Sequence, residues 1–93
     1  MQIQLSEIDT KGRFFINENG QDLAEMTFTK TGIKMMIIDH TEVSDALRGT
    51  GAGKKLVAAA VDYARTNGWK IMPLCPFAKA VFDKTPEYAD VLQ

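Results

Sequence analysis

At 93 residues, 45% hydrophobic and 25% charged, the chain is sized for one hydrophobic core, a single domain over 1–93. A net charge of −1 provides no global field for nucleic acid or an anionic membrane, so neither is expected as a partner and any anion site must be local. One cysteine excludes an internal disulfide and a cysteine-based metal cluster, and no apolar run is long enough to span a bilayer, so a cytoplasmic protein is expected.

Met1 to Thr10 is polar with spaced Ile3, Leu5 and Ile8, unlike a signal peptide, and Gln2 to Ile8 is a candidate edge strand. Residues 13–18 read as a strand that ends at an Asn19-Gly20 turn. Ala24 to Lys30 alternates Ala24, Met26 and Phe28 against Glu25, Thr27 and Thr29, the pattern of a half-buried strand. Thr31-Gly32 is a tight turn. Ile33 to Val43 then carries Met35, Met36, Ile37 and Ile38 in succession, which suits a strand covered on both faces.

The period changes in the second half. Leu56, Val57, Ala60, Val61 and Ala64 form one stripe of an amphipathic helix that stops at Asn67-Gly68. Trp69 to Leu74 is a short strand. Pro76 suits the first position of a second helix, with Phe77, Ala78, Val81 and Phe82 on its apolar side and Pro86 closing it. The predicted class is α/β (α+β): a mixed, mostly antiparallel sheet of four to five strands with two helices, in the order β-β-β-α-β-α. Strands 33–43 and 69–74 are expected to be parallel across a right-handed crossover.

Between strand and helix lies Arg48-Gly49-Thr50-Gly51-Ala52-Gly53-Lys54-Lys55, with no acid from Ala46 to Val61. A helix N-terminus already carries partial positive charge and unpaired N–H groups. Cations placed there oppose the helix dipole unless an anion occupies the site, and the glycines let backbone N–H groups close on it. The stretch therefore reads as a phosphate cradle. A Walker A loop is excluded, because Arg48 stands at its first glycine and Lys55 at its Ser/Thr. A dinucleotide fingerprint is excluded too, because Lys54 or Leu56 stands at its third glycine.

Arg48-x-x-Gly51-x-Gly53 resembles the Gln/Arg-x-x-Gly-x-Gly/Ala signature of the GCN5-related N-acetyltransferases. His40-Thr41-Glu42-Val43 looks like the end of that family's central strand. Pro73-Leu74-Cys75-Pro76-Phe77 and Pro86-Glu87-Tyr88-Ala89-Asp90 are similar to segments of its minimal, single-domain members. The resemblance covers roughly residues 12 to 92. It implies an acetyl-CoA-binding domain and transfer of an acetyl group to an amine, small or on a protein. It implies that Arg48, Gly49, Gly51, Ala52, Gly53 and Lys54 hold the cofactor's diphosphate, with Glu42 and Val43 pairing with its acyl arm. The family's Asn-x-x-Ala-x-x-x-Tyr pattern falls on Cys75, Ala78 and Phe82, so the tyrosine that serves as acid in the family is missing here.

Two side chains are candidates for the proton work. Cys75 precedes Pro76 at a helix start, where a thiolate is favoured; it reads as nucleophile, as acid or as packing. His40, the only histidine, is suited to take a proton from an ammonium and is a candidate to share one cleft with Cys75; the other reading is a structural hydrogen bond. Glu42, on the same strand face, is a second candidate base. Tyr88 is a candidate replacement acid, or core. A CoA-binding or interaction module with little catalysis is the rival reading. A general nucleotide-phosphate binder is a third. Acceptor and oligomeric state stay open.

Overall fold

The computed structural model describes residues 2–93; Met1 lies outside the described residues. Five strands precede or follow two helices: β1 (Gln4–Ile8), β2 (Lys11–Glu18), β3 (Gln21–Lys30), β4 (Met35–Val43), α1 (Ala52–Asn67), β5 (Lys70–Pro73) and α2 (Pro76–Lys84). Short 3-10 turns occupy Asp45–Leu47 and Pro86–Tyr88. They form one sheet in the order β1-β2-β3-β4-β5, antiparallel through β4 and parallel between β4 and β5. This is the expected class and order, with the candidate edge strand present as β1.

Asn19 and Gly20, at φ of 55° and 79°, make the two-residue hairpin between β2 and β3. The turn after Lys30 is longer than the sequence implies. Lys34 takes φ of 60° and the Thr31 N–H donates to the Met35 carbonyl, so Ile33 lies in the turn, 77% exposed, rather than opening β4.

Both helices cover one face of the sheet. Phe14, Ile16, Met26, Phe28, Met36, Ile38 and Ile71 meet Leu56, Val57, Ala60, Val61 and Ala64 of α1 and Ala78, Val81 and Phe82 of α2 in one core. Each of these large side chains contributes about 1.5–3 kcal/mol by leaving water. The stripe predicted for α1 is the buried stripe. Gly68, at φ of 74°, caps the helix through its N–H to the Ala64 carbonyl. The other sheet face has no helix over it, and Arg13, Phe15, Glu25, Thr27 and Thr29 are half-buried there. The Met35–Ile38 run is therefore not covered on both faces: Met36 and Ile38 are buried, whereas Met35 and Ile37 are half-buried. No helix among the described residues is long and apolar enough to cross a membrane.

Two irregularities shape the site end of the sheet. The β3–β4 register pairs Phe28 with Ile38 but Thr27 with His40, skipping Asp39. This bulge changes which residues of β4 face the helices, from Met36 and Ile38 before it to Thr41 and Val43 after it. The β4–β5 pairing also stops at Ile38–Pro73. The Leu74 and Cys75 N–H groups both reach the Ile38 carbonyl, and the chain then turns into α2.

Candidate active site

The two parallel strands part at Ile38, so among the described residues β4 from Asp39 to Val43 has β3 on one side and no strand on the other. The glycine loop and the start of α1 follow directly after this free edge. Gly49 and Gly51 both stand at φ of 81°, where a side chain is strained, and no heavy atom lies within 4 Å of the place a Cβ would take at either. Gly51 is the helix N-cap and provides no side-chain cap. Among the described residues, no backbone acceptor serves the N–H groups of Gly49, Gly51, Ala52, Gly53 or Lys54; the first intrahelical bond runs from the Lys55 N–H to the Gly51 carbonyl. These donors, on an open loop with no acid in the first turn of α1, are suited to an anion.

Gly53 is glycine for a different reason. A Cβ there would stand 2.5 Å from the Phe77 ring tip, so the start of α1 and the first turn of α2 touch through that ring. Phe77 is 40% exposed, not part of the apolar core face expected for it. Arg48 also departs from expectation. It is not an uncompensated cation, because its guanidinium pairs with Asp45 at 2.6 Å, both side chains being largely exposed. Such a pair is worth little in water and yields readily to a stronger anion. Lys54 and Lys55 are exposed and have no ion-pair partner among the described residues.

Cys75 is the N-cap of α2, 5% exposed, and its thiol donates to the Thr41 hydroxyl at 3.3 Å. Burial pushes the thiol up. The Thr41 hydroxyl and the backbone N–H groups of Ala78, Phe77 and Thr41 outweigh it and hold the group below its ordinary value.

His40 and Glu42 lie on the other side of β4. His40 Nε2 is 3.0 Å from Glu42 Oε1, and both side chains are well exposed. Their place on one strand face is as the spacing predicts. A shared cleft for His40 and Cys75 is not found: Thr41 reaches Cys75, and adjacent strand residues point to opposite faces. The two candidates flank the free edge of β4 instead. Beside Glu42, a cavity of about 310 Å3 is lined by Asp22, Leu23, Ala24, Glu25, Glu42, Val43 and Ser44. Arg13 reaches Asp22 and Glu25 at 2.7 and 2.8 Å, and the Asn17 amide, followed by Arg13, holds the Asp22 carboxyl below the usual carboxylate range.

Compared with known protein families, residues 13–91 match the GCN5-related N-acetyl-transferase family. The chain belongs to that family. Protein NATD1 of Xenopus tropicalis is 34% identical over 91 residues, covering 94% of this chain and 84% of the relative. The NMR structure of a GCN5-like protein from Staphylococcus aureus is 40% identical, with a TM-score of 0.72 over 97% of this chain and 87% of that one. An acetyltransferase of Clostridium acetobutylicum, solved with acetyl-CoA, shares the fold at 17% identity, with a TM-score of 0.64 over 81% of this chain and 56% of that one. As a GCN5-related N-acetyltransferase, the protein is an enzyme whose chemistry is acetyl transfer.

In this N-acetyltransferase, the position at which the resemblance implies a tyrosine acid is Phe82, which carries no hydroxyl. Phe82 is buried, and its ring packs edge-on against Tyr88 at 5.7 Å. Tyr88 is thereby held as packing, with the Arg65 guanidinium 5.9 Å from its ring centre. Two site residues were not singled out by sequence reasoning: Thr41 and Asp45. Thr41 had a signal, since it alternates with His40 and Glu42 and so must face the helices once His40 faces away. Asp45 had none, because its partner Arg48 is set by a turn rather than by period.

Proposed function

We propose that the protein transfers the acetyl group of acetyl-CoA to an amine across the free edge of β4. The observation that carries this reading is the parting of β4 and β5 beside a helix start whose first N–H groups have no backbone acceptor. That combination suits a donor with a diphosphate at one end of an amide-bearing arm. The N–H groups of Gly51, Ala52, Gly53 and Lys54, with Arg48 beside them, suit the diphosphate, and the Glu42–Val43 backbone suits the arm. The loop leaves room for it, since Gly49 and Gly51 have no neighbour within 4 Å of a Cβ position.

In the transfer, the amine nitrogen bonds to the thioester carbonyl carbon and the carbon–sulfur bond breaks. The amine loses a proton to a base, and the departing sulfur gains one. His40, held by Glu42, is the base in this reading, and Cys75, held by Thr41, is the acid. Their positions flanking the free edge of β4 support it, because the amine adds to the carbonyl carbon there and the tetrahedral intermediate then expels the sulfur. The carboxylates of the cavity beside Glu42 suit a protonated amine before it is neutralised. The uncovered sheet face admits a protein amino group as readily as a small amine.

The test is incubation with labelled acetyl-CoA and a panel of small amines and peptides, comparing His40→Ala and Cys75→Ala with the parent, followed by mass spectrometry of Cys75. Transfer that never exceeds the uncatalysed rate overturns the proposal and leaves CoA binding without catalysis. Acetyl found on Cys75 would replace its acid role with a nucleophilic one.

A further inference from the structure

The uncovered face of the sheet carries a pattern that is complementary to itself. Ile8 pairs with Lys11, Lys11 with Thr29, Thr29 with Ile37 and Ile37 with Met72, so one row crosses all five strands on that face. At its centre the Thr29 hydroxyl accepts from the Lys11 ammonium at 3.4 Å and donates to the Asp39 carboxylate at 2.8 Å. Neither Lys11 nor Asp39 has an ion-pair partner among the described residues, whereas Arg13 beside them is engaged by Asp22 and Glu25. Ile8 is 76% exposed at one end of the row, and Met72 is half-buried at the other. A cavity of about 510 Å3 lies over the β1–β3 half, with Ser6, Ile8, Lys11, Arg13, Thr27 and Asp39 in its lining.

We infer that this face is an interface between two copies of the chain, related by a two-fold axis along β3. An axis in the contact plane and parallel to the strands lays the strand order over its reverse, so β2 of one copy faces β4 of the other and β1 faces β5. Lys11 then reaches Asp39 of the second copy, twice by symmetry. Ile8 packs on Met72, and Thr29 lies on its own counterpart. An axis across the strands stacks β2 on β2 and β4 on β4, like charge toward like, which is why the first axis is chosen. Aligned sheets packed face to face lie about 10 Å apart. The protein measures 36 × 31 × 20 Å, and its broad face exceeds the roughly 800 Å2 per partner of a standard interface. Glu25, four residues along β3 from Thr29, also meets its counterpart, and that repulsion keeps the end beside His40 and Glu42 open to an amine.

Sedimentation equilibrium of the full chain is the test. The mass is expected to rise from 10.3 kDa toward twice that value across micromolar concentrations. Lys11→Glu and Asp39→Lys are each expected to weaken the dimer about tenfold or more, because each sets like charges together twice. Combining Lys11→Glu with Asp39→Lys is expected to restore it to within a few-fold of the parent. Ile8→Ser should weaken it, and Lys79→Glu on the helix side should not. A chain that stays at 10.3 kDa throughout, or a dimer that neither charge reversal nor Ile8→Ser weakens, overturns the inference. A folded double variant that remains monomeric overturns the β2-to-β4 pairing and with it the axis. Neither acetyl-CoA nor an amine enters the measurement, so acetyl transfer stands or falls separately.

Discussion

Thr41 Oγ1 lies 3.3 Å from Cys75 Sγ, linking the free edge of β4 to the N-cap of α2. The bond ties the acyl end of the proposed site to the helix start and holds the thiol below its ordinary value against the upward push of burial. Thr41→Val removes the hydroxyl at nearly constant volume. Its alkylation-versus-pH curve is expected to move to higher pH than the parent's, read with a small electrophile. The linkage has a definite sign. Between the folded and unfolded thiol pKa values the unfolded chain binds more protons, so stability rises with pH across that window. The contribution is complete above the unfolded value and is lost as pH falls through the folded one. Thr41→Val should flatten this rise in denaturant titrations; an unchanged alkylation curve would remove Thr41 from the account.

Gly51 sets both the turn and the cradle. At φ of 81°, Gly51→Val is expected to cost about 1–2 kcal/mol of stability, since a β-branched residue is strained there. The space around it is open, so the fold survives. Thermal melts with and without acetyl-CoA should show a modestly lowered Tm and loss of the ligand-induced rise. A retained rise would mean that the loop backbone does not hold the ligand.

His40 and Glu42 form an exposed pair 3.0 Å apart, and the proposal makes the first a base and the second its holder. His40→Ala should lower kcat/KM for the amine about 10²-fold or more, with a much smaller change in KM for acetyl-CoA. Glu42→Gln should lose less, because it keeps a hydrogen-bonding partner for the ring. Full activity in His40→Ala would assign the proton to water or to the cavity carboxylates.

Glu7 on the edge strand β1 reaches Lys30 at 2.5 Å, and the Tyr63 hydroxyl of α1 joins them. Hydrogen bonding to Glu7 raises the Lys30 ammonium above its ordinary value, outweighing the desolvation that lowers it. A raised lysine contributes stability that is complete below its unfolded pKa and is lost as pH rises through its folded one. Glu7→Gln is expected to cost about 1 kcal/mol or less near neutral pH and to speed amide exchange in Gln4–Ile8. Exchange in β1 as slow as in the parent would show that backbone pairing with β2 holds the edge by itself.

Local pattern was enough for the elements and the loop. The Leu56–Ala64 stripe names the buried face of α1, Asn19-Gly20 names a hairpin, and Gly49 and Gly51 mark the positive-φ turn before α1, because period and backbone permissiveness are properties of neighbouring residues. Ile33 and the Met35–Ile38 run were misread for a related reason. An apolar run does not reveal whether a second layer exists to cover it, and here one face of the sheet has none.

The sequence by itself determined which residues make helix and strand, where the glycine turn before α1 lies, and which family's signature the chain carries. Only the tertiary structure decided what faces what. Skipping Asp39 in the β3–β4 register turns Thr41 toward Cys75 and leaves His40 with Glu42 on the open face. The parting of β4 from β5 frees the strand edge between them. A bulge adds one residue to a strand of period two, so its effect on side-chain direction depends on the partner strand and cannot be read from the chain that carries it.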